Sequence, residues 1–172
     1  MRAHYVRAMD AIHNACLFIA GASLVIITLI IPWGVFTRFV LNSASSWPEP
    51  MAVLLMIWLA FLSAVVCYRE YLHIGVGILP ALLTGTARAT LGFIIEIGML
   101  VANLFMLWWG IKLVNTTWHQ SIAEFPVVSV GFSYLPVPIG GLLIVLFVIE
   151  RMWTQVWFQE PTLETTSTVT TE

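Results

Sequence analysis

Glu96 stands inside a long apolar run, and its type and position are the first in this chain to suggest chemistry. A charge within a membrane helix costs at least about 2.5 kcal/mol on insertion scales, so an intramembrane carboxylate points by default to an ion, proton or solute pathway. Here the structural reading is stronger. Glu96 lies about two turns from Arg88, near enough to one membrane face to reach headgroups, water or Arg69, and Asn103 follows on the same helical face. One acid without paired broken helices does not make a transport pathway.

The other reactive residue types fail on placement. His13 and His73 fall near one end of the apolar runs, His119 near the other, and His4 in the N-terminal segment, so no two can face each other across a haem. Cys16 and Cys67 both lie toward the same ends of their runs and read as packing residues. There is no phosphate loop, metal-ligand cluster or nucleophile-base pair at motif spacing. We expect no cofactor, no metal and no enzymatic activity.

The elements that hold these residues follow from composition. The 172 residues are 60% hydrophobic and 9% charged, with mean hydropathy +0.95, whereas soluble domains carry about 25% charged residues. A helix needs roughly 20 apolar residues to cross about 30 Å of hydrocarbon. Four runs qualify, predicting an all-α integral membrane protein with helices near 12–39, 48–69, 87–117 and 130–156. The first run is too long for a secretory signal and lacks a cleavage site, so it reads as an uncleaved helix. The domain reading is a four-helix transmembrane part over 1–158 and a Thr-rich, acidic, disordered cytoplasmic tail over 159–172.

Basic residues are retained on the cytoplasmic side. With the N-terminus inside, Arg2, Arg7, Arg69, Arg88 and Arg151 are cytoplasmic, against Arg38 and Lys112 outside, so both termini are expected in the cytoplasm. Aromatic belts agree: Trp33, Trp47, Trp108, Trp109, Trp118 and Tyr134 at the outer interface, Tyr68, Tyr71, Trp153 and Trp157 at the inner. Between the second and third helices, Ile74, Ile78 and Leu82 recur every four residues around Pro80, which predicts a short amphipathic segment in the inner interface.

Between the first two helices, Ser46-Trp47-Pro48-Glu49 has the form of a capping box, and Glu49 falls at the positive end of a helix dipole with Arg38 as a plausible ion-pair partner. Along the second helix, Trp58 near mid-bilayer and the small residues Ala60, Ser63 and Ala64 form a strip suited to close helix packing, against a partner subunit or within the chain itself. Arg38, Trp47, Glu49, Arg69 and His73 flank that helix and could set its height through headgroup or subunit contacts.

Several of these residues, in order, resemble a family signature. Arg38-Phe39-Val40-Leu41-Asn42, Ser46-Trp47, Glu49, Trp58-Leu59-Ala60-Phe61-Leu62, Arg69-Glu70 and His73-Ile74 are similar to the small membrane subunit of tripartite ATP-independent periplasmic (TRAP) transporters. Tyr134-Leu135-Pro136 with Pro138-Ile139-Gly140 resembles that family's last segment, so the likeness runs from about Ala11 to Trp157. The family usually has two acids after the tryptophan, where this chain has Glu49 followed by Pro50. It often has glycine near Ser63 and an acid near Gly77.

The resemblance implies a bacterial inner-membrane location and two partners, a large permease subunit and a periplasmic solute-binding protein. The permease would carry an organic acid or related solute by a sodium-driven, elevator-like movement, and the small subunit would hold it in place. Membrane lipid is a further partner; nucleic acid is not. Two other classes remain open at this point. A cytochrome b-like redox protein is opposed by the histidine placement, and a small exporter by the nearness of Glu96 to the inner face.

Overall fold

The computed structural model describes residues 2–43, 45–70 and 85–154. Its elements are α1 (Arg2–Phe39), α2 (Pro48–Arg69), α3 (Gly85–Thr117), β1 (Ser121–Ile122), β2 (Phe125–Ser129), α4 (Val130–Tyr134) and α5 (Pro136–Thr154). Four spans are long and apolar enough to cross a membrane: Tyr5–Phe39, Pro48–Arg69, Thr86–Thr117 and Val130–Thr154. The protein is therefore a mostly helical, four-span membrane protein. The expected amphipathic segment, His73 and the tail lie outside the described residues.

Helix α2 starts and stops where its sequence predicts, but its start is built differently. Trp47, in αR geometry, is the N-cap and makes no side-chain cap bond, so the expected Ser46 capping box is not formed. The prolines are the reason. Pro48 and Pro50 have no N–H, which removes two of the donors a cap would satisfy, and the Met51 N–H already reaches the Trp47 carbonyl at 3.2 Å. Upstream, Asn42 adopts φ 47°, a left-handed conformation that Asn tolerates better than most residues. It turns the chain so that the Ser43 N–H donates to the Thr37 carbonyl at 3.1 Å.

Helix α1 begins ten residues earlier than hydropathy indicates. Its first turns are tied down by tertiary contacts: Met9 is buried, and the Tyr5 hydroxyl donates to the Leu146 carbonyl at 3.0 Å. At 38 residues it is about 57 Å long, well beyond the hydrocarbon thickness.

The expected fourth helix is jointed into α4 and α5. Pro136 and Pro138 cannot donate to the carbonyls four residues back, and the helix is interrupted at Leu135, though the Leu135 and Ile139 amides still bond the Gly131 and Leu135 carbonyls. A short antiparallel hairpin, β1 with β2, also departs from the all-helical expectation. Ser129 closes it onto the end of α3: its hydroxyl donates to the Trp118 carbonyl at 2.6 Å and accepts from the Gly131 N–H at 3.0 Å.

Packing runs in a row. Helix α1 packs on α2, α3 packs on α5, and α2 against α5 joins the two pairs. About half of the last span, Val130–Thr154, is buried, against 22% for the first and 17% for the third, as expected for a central element between flanking ones. Adjacent glycines make this centre possible. A Cβ on Gly140 would lie 3.5 Å from Phe61 of α2, and one on Gly141 would lie 3.0 Å from the Asn103 carbonyl of α3. Successive helix residues point about 100° apart, so the pair opens two faces of α5 to two neighbours.

Candidate functional site

The charged residues gather at the end of the molecule that holds the start of α1 and the ends of α2 and α5. Tyr68, Arg69 and Glu70 are consecutive, and the chain there turns them toward four partners on three other helices. The Tyr68 hydroxyl donates to Glu96 Oε2 of α3, Arg69 reaches Asp10 of α1 at 2.6 Å and Glu150 of α5 at 3.5 Å, and Glu70 meets His13 of α1 at 3.4 Å.

Glu96 and Arg151 form the centre of this cluster. Their side chains are 1% and 6% exposed, and Arg151 Nη1 donates to Glu96 Oε1 at 3.1 Å. The second Arg151 nitrogen donates to the Tyr68 carbonyl, and the guanidinium lies 4.2 Å from the centre of the Tyr68 ring. Both carboxylate oxygens of Glu96 are thus engaged, as a charge in low dielectric requires. Sequence reasoning reached for headgroups, water or Arg69 as the company of Glu96. The structure corrects this to Arg151 and Tyr68, and Arg69 is instead held by Asp10 and Glu150 with its guanidinium over the Phe147 ring at 5.0 Å.

A further expectation changes. Tyr68, counted among the inner aromatic belt, is 1% exposed and belongs to the core. Asn103 is buried, and its side-chain amide donates to the Met99 carbonyl of its own helix at 2.8 Å. Arg151 and Glu150 were missed as site residues. Their only sequence signal was a Glu-Arg pair ending an apolar run, the same signal that marks any interfacial helix end.

The α1–α2 hairpin lies at the opposite end. Arg38 and Glu49 both line a groove of about 460 Å³, yet among the described residues no ion pair joins them. Glu49 also borders a second groove of about 440 Å³ with Glu124, Ser133 and Tyr134. Trp47 is exposed in the same hairpin. Lys112, on the same side, has its ammonium 4.7 Å from the centre of the Trp109 ring and 5.4 Å from that of Trp108. Of the α2 strip, Ala60 is exposed, and Ser63 and Ala64 are partly covered. Trp58 faces its own chain, 5.4 Å from the Phe132 ring and packed on the hydrophobic core.

These features define a multi-pass membrane subunit whose buried charges bind helix to helix. The family model of the DctQ component of tripartite ATP-independent periplasmic transporters matches residues 27–157. The chain belongs to this family, and is a non-catalytic small permease component of a TRAP transporter. A protein of Haemophilus influenzae described as a TRAP transporter small permease is 28% identical over 159 residues, covering 91% of this chain and 92% of its own. The sialic acid TRAP transporter small permease protein SiaQ of Vibrio cholerae is 26% identical over 129 residues, covering 72% and 71%. A tripartite family implies a large permease and a binding protein as partners.

Proposed function

We propose that this subunit is a fixed scaffold for the large permease, which carries an organic acid or related solute with sodium while the small subunit stays still. The observation that carries the reading is the fate of the buried charges. Among the described residues, the buried acid and base, Glu96 and Arg151, are spent on each other. A carboxylate locked between a guanidinium and a tyrosine holds helices together and has no open position for a travelling ion. The large exposed apolar side chains of α1 and α3, such as Phe18, Leu29 and Phe105, leave ample surface for lipid and permease.

Within this reading the Ala60, Ser63 and Ala64 strip of α2 packs against the permease, because small side chains let helix backbones approach. Ala60→Leu with Ala64→Leu is expected to weaken co-purification of the permease severalfold while the small subunit keeps its own melting temperature. The unsubstituted chain alone in liposomes is expected to take up no organic acid under a sodium gradient. Full co-purification with a destabilised small subunit would place the strip inside its own fold, and uptake by the chain alone would remove the scaffold reading.

The proposed orientation puts the charged cluster and both termini in the cytoplasm, and the α1–α2 hairpin outside, following the arginine bias. In a background with Cys16 and Cys67 replaced by alanine, a cysteine at Ser43 is expected to react with an impermeant maleimide in intact cells, and one at Thr165 only after lysis. Labelling of the Thr165 position from outside reverses the orientation.

A further inference from the structure

The groove between α1 and α2 at the hairpin end has the chemistry of a lipid site. Its walls are apolar, with Ile31 and Val35 from α1 facing Val53 and Met56 from α2, and its volume of about 460 Å³ falls in the usual range of roughly 300–1,000 Å³ for small-molecule pockets. Its shape is set by a close approach of the two helices: a Cβ on Gly34 would lie 3.2 Å from Pro48 Cβ. The groove therefore stays open above a narrow floor.

The rim carries one charge of each sign. Arg38 lies in the last turn of α1 and Glu49 in the first turn of α2, each beside a helix end of opposite polarity, which holds it in place without help from the other. Both are exposed and both line the groove, yet neither is ion-paired among the described residues. Trp47, with an amphipathic ring that favours headgroup depth, is exposed in the same hairpin, next in sequence to the groove residue Pro48. Two open charges of opposite sign above an apolar slot match a ligand with an anion and a cation a few bonds apart and a hydrocarbon tail.

We propose that this groove holds one phospholipid with a zwitterionic, amine-bearing headgroup, Arg38 taking its phosphate, Glu49 its ammonium and the apolar walls the upper part of one acyl chain. A purely anionic phospholipid satisfies Arg38 but sets its negative charge beside Glu49. Charge complementarity therefore favours phosphatidylethanolamine over phosphatidylglycerol. The inference rests on the membrane-embedded fold and is independent of which face of the protein meets the permease.

The test is native mass spectrometry of the full-length chain, delipidated in detergent and offered phosphatidylethanolamine or phosphatidylglycerol in turn. The unsubstituted protein is expected to retain one phosphatidylethanolamine about fivefold better than phosphatidylglycerol, the upper end for one solvent-accessible ion pair. Glu49→Gln is expected to bring the two lipids level, and Arg38→Gln to lower retention of both. Val35→Trp, which fills the slot and leaves both charges in place, is expected to lose the bound lipid, with unchanged helicity and melting in all three variants. Equal retention of the two lipids by the unsubstituted protein overturns the proposal, as does a preference that survives Glu49→Gln or a lipid that survives Val35→Trp.

Discussion

Glu96→Ala lowers the stability of the folded subunit by about 3–5 kcal/mol, the usual cost of leaving one member of a buried ion pair alone. Arg151 is the member left behind, with 6% of its side chain exposed, donating to the Tyr68 carbonyl and lying against the Tyr68 ring. Arg151→Ala has an effect of the same size, because among the described residues Glu96 then keeps only the Tyr68 hydroxyl. The double substitution Glu96→Met with Arg151→Met is expected to recover part of the loss, since two apolar side chains remove both desolvated charges together. Reversible unfolding in mixed micelles measures these variants together with Glu96→Met and Arg151→Met singly, and in that closed methionine cycle a coupling of about 1 kcal/mol is expected for residues in direct contact. Strictly additive losses would mean that the pair does not join α3 to α5. Tyr68→Phe is expected to cost less than either charge deletion, about 1.5–3 kcal/mol, as it deletes one hydrogen bond to a charged group and keeps the ring beneath Arg151.

The second large effect comes from the α3–α5 crossing. Gly141→Leu is expected to cost about 3 kcal/mol or more, at or above the upper end for overpacking, because the first added carbon already meets backbone. It would stand 3.0 Å from the Asn103 carbonyl oxygen and 3.2 Å from the Leu107 amide nitrogen, and neither can turn aside as a side-chain end could. Gly110 provides a second reading of the same contact from the other helix, where a Cβ would lie 3.0 Å from the Pro138 ring. Gly21→Ala and Gly98→Ala are the controls. Nothing lies within 4 Å of a Cβ at either position, and alanine is the better helix former by about 1 kcal/mol, so both are expected to be neutral or stabilising. Thermal melting of these variants separates the cases. A Gly141→Leu protein that melts with the Gly21→Ala control would show that α3 and α5 are free to move apart.

How much of this was legible before folding depends on the distance over which each feature is decided. The α2 helix was readable to within about two residues because Pro48 and Arg69 act locally: a proline suits a first turn, and a charge ends an apolar run. The start of α1 was not. Residues 2–11 carry no hydropathic reason to be helical, and Tyr5, Met9 and Asp10 are held by partners on α5 and α2 that lie far along the chain. The capping box failed for a reason that was present in the sequence, since Pro48 and Pro50 leave little for Ser46 to cap. The β1–β2 hairpin rests on Ser129 reaching back to Trp118, and nothing in its own residues distinguishes it from a loop.

Trp58 and Glu96 show the same division at the level of single side chains. Both stood out because their types are unusual at mid-helix, and composition along the chain is enough to see that. Their partners, Phe132 and Arg151, are 74 and 55 residues away, and the choice depends on which faces of α2, α3 and α5 meet. The class of protein, the four spans and the family are legible along the chain, because hydropathy and motif order are properties of consecutive residues and the membrane acts on each span separately. The row α1, α2, α5, α3 and the closing of the buried charges on one another arise from packing between distant segments. All four spans are apolar around most of their circumference, so hydropathy does not say which stripe faces which neighbour; that is settled by where Gly140 and Gly141 let backbones approach and where Arg151 can reach an acid.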